Sequence, residues 1–132
     1  MTDLSPDTTN DFLERFCGFD DAVLRSCNTN LDPEARWCDL GVDAIDAESP
    51  SGWSHVTIRV QEIRHILIDL HTGADVLSFG MQIFYVGDAV RVYIDPHPNG
   101  EEMLELSESL AFVIGTSLQW ESRFISSHLL QL

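Results

Sequence analysis

Lysine is missing from this chain altogether. Its seven basic residues are all arginine, set against 22 acids, for a formal charge of −15 over 132 residues. A polyanion gains nothing by releasing the counterions of a phosphate backbone, so nucleic acid and anionic lipid are excluded as expected partners. Cysteine is scarce too. Cys17, Cys27 and Cys38 are odd in number, with nine and ten residues between them, so neither a disulfide framework nor a CxxC zinc pair is expected and the thiols read as buried or idle. No apolar run approaches the roughly 20 residues that span a bilayer. The opening "MTDLSPDTTNDF" lacks the basic start and apolar middle of a secretory signal. The expectation is a soluble, cytoplasmic protein with no membrane association.

What is present is enough apolar material, 44% of residues, to bury a core without staples, which predicts a single domain over residues 1–132. Its acids are unevenly placed. Residues 1–48 carry twelve acids and three arginines, residues 49–100 five and three, and residues 101–132 five and one. A clustered excess of this kind can steer a basic partner protein, and it equally suits a solvated surface that keeps the protein soluble.

Along the chain, residues 1–10 are polar and expected to be loosely ordered. In "TTNDFLERFCG", Thr9 or Asn10 suits a helix cap and Phe12, Leu13 and Phe16 share a face. Gly18 then stops a helix of about two turns. Residues 22–30 read as a strand, followed by turn chemistry in "LDPEAR". Cys38, Leu40, Val42 and Ala44 alternate with Asp39, Gly41 and Asp43, the period of a half-exposed strand. "WSHVTIRV" buries Val56, Ile58 and Val60 and turns His55, Thr57 and Arg59 outward. After a kink near Glu62, Ile66, Ile68 and Leu70 oppose His65, Asp69 and His71.

The hairpin "MQIFYVGDAVRVYID" turns at Gly87 and Asp88, which sets Tyr85 against Val90, Ile83 against Val92 and Met81 against Ile94. Residues 101–110 suit either a helix or a strand. Phe112, Ile114, Leu118 and Trp120 mark one last strand, and residues 123–132 form an apolar tail able to dock or to make a homodimer contact. The predicted fold is α+β, mainly β: an antiparallel meander sheet of about six to seven strands with a short N-terminal helix packed on it.

Chemistry has little to stand on. His65 and His71 would lie about 20 Å apart on an extended strand, too far for one ion, so no metal and no cofactor is expected. Ser78 lacks the sharp turn and oriented base of a serine nucleophile, and Cys17 sits at a helix C-terminus that disfavours a thiolate. Phosphate-cradling glycine motifs are absent. No catalytic residue is expected. What remains is one polar sheet face bearing His55, Thr57, Arg59, Gln61, His65, Asp69, Arg91 and Tyr93, beside the acids of the preceding strand.

One stretch adds a family likeness. An acid-rich "GFDDA" opens the strand at residue 22, the strand of Val56, Ile58 and Val60 follows, and a hydrophobic hairpin with a Gly-Asp tip comes after it. This order resembles small bacterial proteins that include Imm50-like polymorphic-toxin immunity proteins, in which an F-H-D-A style motif precedes the first strand. It covers residues 16–95. Phe19, Asp21 and Ala22 match the motif, and Asp20 stands in the place of its histidine. Those three residues have structural parts to play: Phe19 as a core anchor, Ala22 allowing close approach, and Asp21 accepting N–H bonds at the helix-to-strand corner.

The resemblance implies a non-enzymatic acidic binding protein of the immunity type, which occludes a basic toxin or another protein partner. Its candidate partner-binding residues are Asp39, Asp43, Asp46, Arg59, His65, Asp69, Arg91 and Tyr93. The alternative is an enzyme or small-ligand-binding domain that uses the polar face of the sheet.

Overall fold

Where large apolar residues alternate with polar ones, an extended chain has one face to bury and one to leave wet. The computed structural model describes residues 1–68, 76–96 and 109–126. Among them the chain forms β1 (Thr2–Leu4), α1 (Thr9–Arg15), β2 (Ala22–Asn30), β3 (Trp37–Ile45), β4 (Trp53–Gln61) and β5 (His65–Ile68). β6 (Val76–Leu77), β7 (Met81–Val86), β8 (Ala89–Pro96), β9 (Ser109–Gly115) and β10 (Ser117–Phe124) follow. Residues 101–108, most of the stretch that suits helix or strand alike, lie outside the described residues, as do Asp69, Leu70, His71 and residues 127–132 of the tail.

The protein is mainly β and antiparallel, but it forms two sheets where the sequence predicts one meander. A six-stranded sheet runs β1-β10-β4-β3-β2-β6 and a four-stranded sheet runs β5-β9-β8-β7. Their apolar faces share one core, with Cys38, Leu40, Val42, Val56, Ile58 and Val60 from the larger sheet and Val90, Val92, Ile94, Ala111 and Val113 from the smaller. Each sheet thus covers the face that the other would leave in water, the usual solution for a domain of this size.

The two sheets arise from a bend in a continuous ribbon. β4 pairs with β10 in the larger sheet, and their neighbours in sequence, β5 and β9, pair in the smaller. At the bend Glu62 takes φ 52°, matching the predicted kink, and the Thr116 N–H donates to the carbonyl of Gln61 at 2.9 Å. Ala111 and Val113 face the core before the bend and Leu118 faces it afterwards, so the alternation slips by one residue. The run Phe112, Ile114, Leu118, Trp120 therefore belongs to two strands. The first pair lies on the outer face of one sheet and the second on the inner face of the other.

Residues 1–10 are more ordered than their composition predicts, because β10 has an edge to fill. Thr2–Leu4 pairs with Leu118–Trp120, and Leu4 is buried. The helix follows, with its cap at Thr8 in place of Thr9 or Asn10, and that hydroxyl accepts the Ser5 N–H at 2.9 Å. Seven residues cannot hold a helix alone. What holds it is an aromatic cluster, in which the Phe12 ring lies 5.4 Å from Phe16, 5.5 Å from Phe19 and 5.0 Å from Trp120.

A left-handed turn brings Phe19 into that cluster. Cys17, Gly18 and Phe19 have φ of 55°, 66° and 61°, and Asp21 follows at 60°. For residues with a Cβ this conformation costs roughly 1–2 kcal/mol each, comparable with the roughly 1.5–3 kcal/mol gained by fully burying one phenylalanine. At the corner, Asp21 acts through its backbone, whose N–H donates to Leu77 at 2.9 Å, while its side chain is exposed. Ala22 is buried opposite Leu77.

The β7–β8 hairpin has the predicted register in full, with Tyr85 opposite Val90, Ile83 opposite Val92 and Met81 opposite Ile94. Gly87 takes φ 61° at its tip, which a residue bearing a Cβ adopts only with strain.

Candidate interaction surface

On the outer face of the larger sheet the alternating polar residues of β2, β3, β4 and β10 come together. Register sets Asp43 opposite His55, and His55 opposite Arg123. One step along, Asp39 faces Arg59, which in turn faces Gln119. Asp43 is shared, receiving Arg25 Nε at 2.8 Å on one oxygen and lying 2.7 Å from His55 Nδ1 through the other. Asp39 holds Arg59 by two bonds, from Nε at 2.7 Å and Nη2 at 2.8 Å. That bidentate bond, ahead of the opposing cost of burial, raises the Arg59 pKa above its ordinary value. The same guanidinium lies 4.4 Å from the centre of the Trp37 ring, a cation–π contact of roughly 0.5–1 kcal/mol at a partly exposed site.

Beside this stack lies a hollow of about 360 Å³, walled by Trp37 and Arg59 with Arg36, Gln61, Glu62 and Ile63. It forms where the β2–β3 turn meets the bend after β4, and the Ile63 N–H donates to the Arg36 carbonyl across that junction at 3.4 Å. This hollow brings two arginines and an indole together in an acid-rich chain.

The eight candidate residues separate. Asp39, Asp43 and Arg59 belong to this face, where Trp37, Arg25 and His55 join them. His65, Arg91 and Tyr93 lie on the outer face of the other sheet, where register aligns His65, Ile114, Arg91 and Phe84 in one row and Leu67, Phe112, Tyr93 and Gln82 in the next. A predicted single polar face is thus two faces on opposite sides of a sandwich. The second face is aromatic rather than polar: Tyr93 is 1% exposed and Phe112 3%, Phe84 meets Tyr93 edge-on at 5.7 Å, and His65 meets Phe112 at the same distance.

Asp46 is on neither face. Its side chain is fully buried, receives Arg15 Nε at 3.0 Å and Nη2 at 3.1 Å, and accepts the Ser54 hydroxyl at 2.5 Å and the Glu48 N–H at 3.0 Å. Burial pushes its pKa up, but these bonds together outweigh it and hold the carboxyl below its ordinary value. A buried, fully bonded carboxylate of this kind is a structural hub and not a contact residue. Asp69 lies outside the described residues.

Chemically the face offers ion pairs and stacking. His55 is oriented by Asp43 through Nδ1, and its other nitrogen is directed toward Gly41 near the Ser26 hydroxyl. No hydrogen bond joins Ser26 to His55 among the described residues. Ser78 lies in the turn between β6 and β7, not within a strand as its surroundings suggest. Among the described residues no group of three or more His, Cys, Asp or Glu side chains is placed to hold a metal ion, and no helix is long and apolar enough to cross a membrane.

Sequence reasoning missed Trp37 and Arg25 on this face. Trp37 has the parity of Asp39 and Asp43 and was legible. Arg25 was not, because a β-bulge between Leu24 and Ser26 places it. Comparison with protein-family models, with curated proteins and with solved structures finds no match to this chain.

Proposed function

We propose that the protein is a non-enzymatic binding module that presents negative charge to a basic protein partner, in the manner of an immunity protein occluding its toxin. One observation carries this reading: the fold pairs four of its seven arginines with acids of its own and leaves many other acids outside. Arg15, Arg25, Arg59 and Arg64 are held by Asp46, Asp43, Asp39 and Asp88. Meanwhile Asp3, Asp7, Asp11, Glu14, Asp20, Asp21, Asp32 and Glu34 are all exposed. Charge held in this way attracts a basic surface at long range and is screened by salt. The test is a calorimetric titration against the purified product of the adjacent gene. The affinity is expected to fall about tenfold or more between roughly 50 and 500 mM salt, and to drop on reversing charge at Asp32 and Glu34. Binding indifferent to both changes overturns the reading.

The hollow beside Trp37 favours a second reading, a small-ligand site. An indole backed by a fixed guanidinium, with Arg36 at the rim, suits a planar carboxylate. Aromatic carboxylates are then expected to raise the melting temperature of the wild type and not of Trp37→Ala. Equal melting shifts in both proteins, or none in either, eliminate it.

A further inference from the structure

Two cysteines that look unrelated along the chain meet on the inner side of the larger sheet. Register places Cys27 opposite Leu40 and Cys38 opposite Thr29, so the two are diagonal neighbours on adjacent strands. Their sulfurs are 3.5 Å apart, and neither is bridged. A disulfide bond is about 2.05 Å long, so the sulfurs need to close by about 1.5 Å. Without the bulge between Leu24 and Ser26, Cys27 would face outward; the bulge turns it in toward Cys38.

The pair is asymmetric. Cys38 is buried in the core, and Cys27 is half-buried beside it. The bond between the thiols, helped by burial, pushes the Cys38 thiol far up, and the same bond lowers the Cys27 pKa from its ordinary value. Cys27 is therefore both the sulfur that solvent reaches and the one that ionises first.

We propose that Cys27 and Cys38 form a reversible disulfide site, oxidised by hydroperoxides. The Cys27 thiolate attacks one peroxide oxygen; the O–O bond breaks, hydroxide leaves and takes up the proton that Cys27 gave to solvent, and Cys27 becomes a sulfenic acid. Cys38 then attacks that sulfur. The S–S bond forms, the S–O bond breaks, and the departing oxygen leaves as water with the Cys38 proton. Two electrons pass from the sulfurs to the peroxide, which ends as two waters when it is hydrogen peroxide and as one water and one alcohol when it is an organic hydroperoxide.

Geometry makes the bond easy to reopen. Diagonal partners on antiparallel strands sit farther apart than the roughly 3.5–4.5 Å between Cβ atoms of a relaxed disulfide. The strands must be drawn together, the bulge supplies part of the slack, and a strained bond is readily reduced by small thiols. The movement reaches the outer face, because Cys38 lies between Trp37 and Asp39, the two residues that hold Arg59.

The test uses the full chain and hydrogen peroxide. Two of the three thiols are expected to disappear, with Cys17 left free. Peptide mapping without reductant links the Cys27 and Cys38 peptides, the Trp37 indole N–H resonance shifts, and glutathione reverses all three changes. In Cys38→Ala the reaction stops at a Cys27 sulfenic acid that dimedone traps. If that variant does not fold, mapping of the wild type decides alone. Oxidation confined to Cys17, or a Cys27 sulfinic acid forming beside an intact Cys38 thiol, overturns the proposal.

Discussion

Replacing Asp46 with alanine is expected to destabilise the fold by about 3–5 kcal/mol, measured as a lowered urea midpoint with an unchanged slope. The size follows from what the substitution leaves behind. Arg15, 22% exposed, loses two bonds to a fully buried carboxylate; the buried Ser54 hydroxyl and the Glu48 N–H each lose their acceptor. Glu48 still touches Arg15 Nε at 2.8 Å, but that carboxylate is largely exposed and offsets little. The contacts of Arg15 with the Phe16 and Trp120 rings tie the loss to the aromatic cluster that anchors the helix.

A double variant that replaces Arg15 and Asp46 together with apolar residues is expected to recover much of the stability, since no unpaired charge then stays buried. The pH dependence carries a sign. The folded-state pKa of Asp46 is depressed, so its contribution is complete above the unfolded value of about 3.9 and is lost as pH falls from there through the folded value. The gap between wild type and Asp46→Ala therefore narrows below about pH 4. A gap under about 1 kcal/mol at neutral pH, or one that widens in acid, contradicts the hub role.

Asp46 also shows what the sequence offered. It has the parity of Cys38, Leu40, Val42 and Ala44, so alternation alone places it on the core side, and an acid there requires a partner. The hairpin at Gly87 was legible because its register is set within a few residues of the turn. The strand faces of β3 and β4 were legible from the alternation within each strand. Assigning strands to sheets was not. Parity says which residues share a face within one strand, but it does not say whether His65 and Arg59 belong to the same sheet. That depends on the bend at Glu62 and Thr116, where neither proline nor a turn dipeptide marks the change. The slip is fixed by pairing between Gln61 and Ser117, far apart in the chain. The meeting of Cys27 with Cys38 was not legible for a related reason, since one bulged residue reverses the face that Cys27 occupies.

The bend itself has a chemical requirement, and Gly115→Val tests it. Gly115 ends β9, opposite Val90, and a Cβ built there would meet the carbonyl oxygen of Gln61 closer than atoms approach, with Val60 Cγ1 at 2.7 Å. Neither neighbour can yield cheaply. The Gln61 carbonyl accepts the Thr116 N–H that stitches the bend, and Val60 is fully buried in the core. Two effects favour the substitution: a valine gains up to about 1 kcal/mol in strand propensity, and losing glycine's freedom in the unfolded chain adds about 0.4–1 kcal/mol. Against them stand overpacking at about 1–3 kcal/mol or more and the hydrogen bond at the corner, worth about 1 kcal/mol.

The clash wins because it is with backbone. Gly115→Val is expected to lose about 1–2 kcal/mol net, and Gly115→Ala a smaller amount of the same sign. Both substitutions should speed amide exchange at Thr116 before it changes in the β7–β8 hairpin. An alanine variant as stable as wild type, with Thr116 equally protected, would mean that the ribbon does not cross from one sheet to the other at this residue.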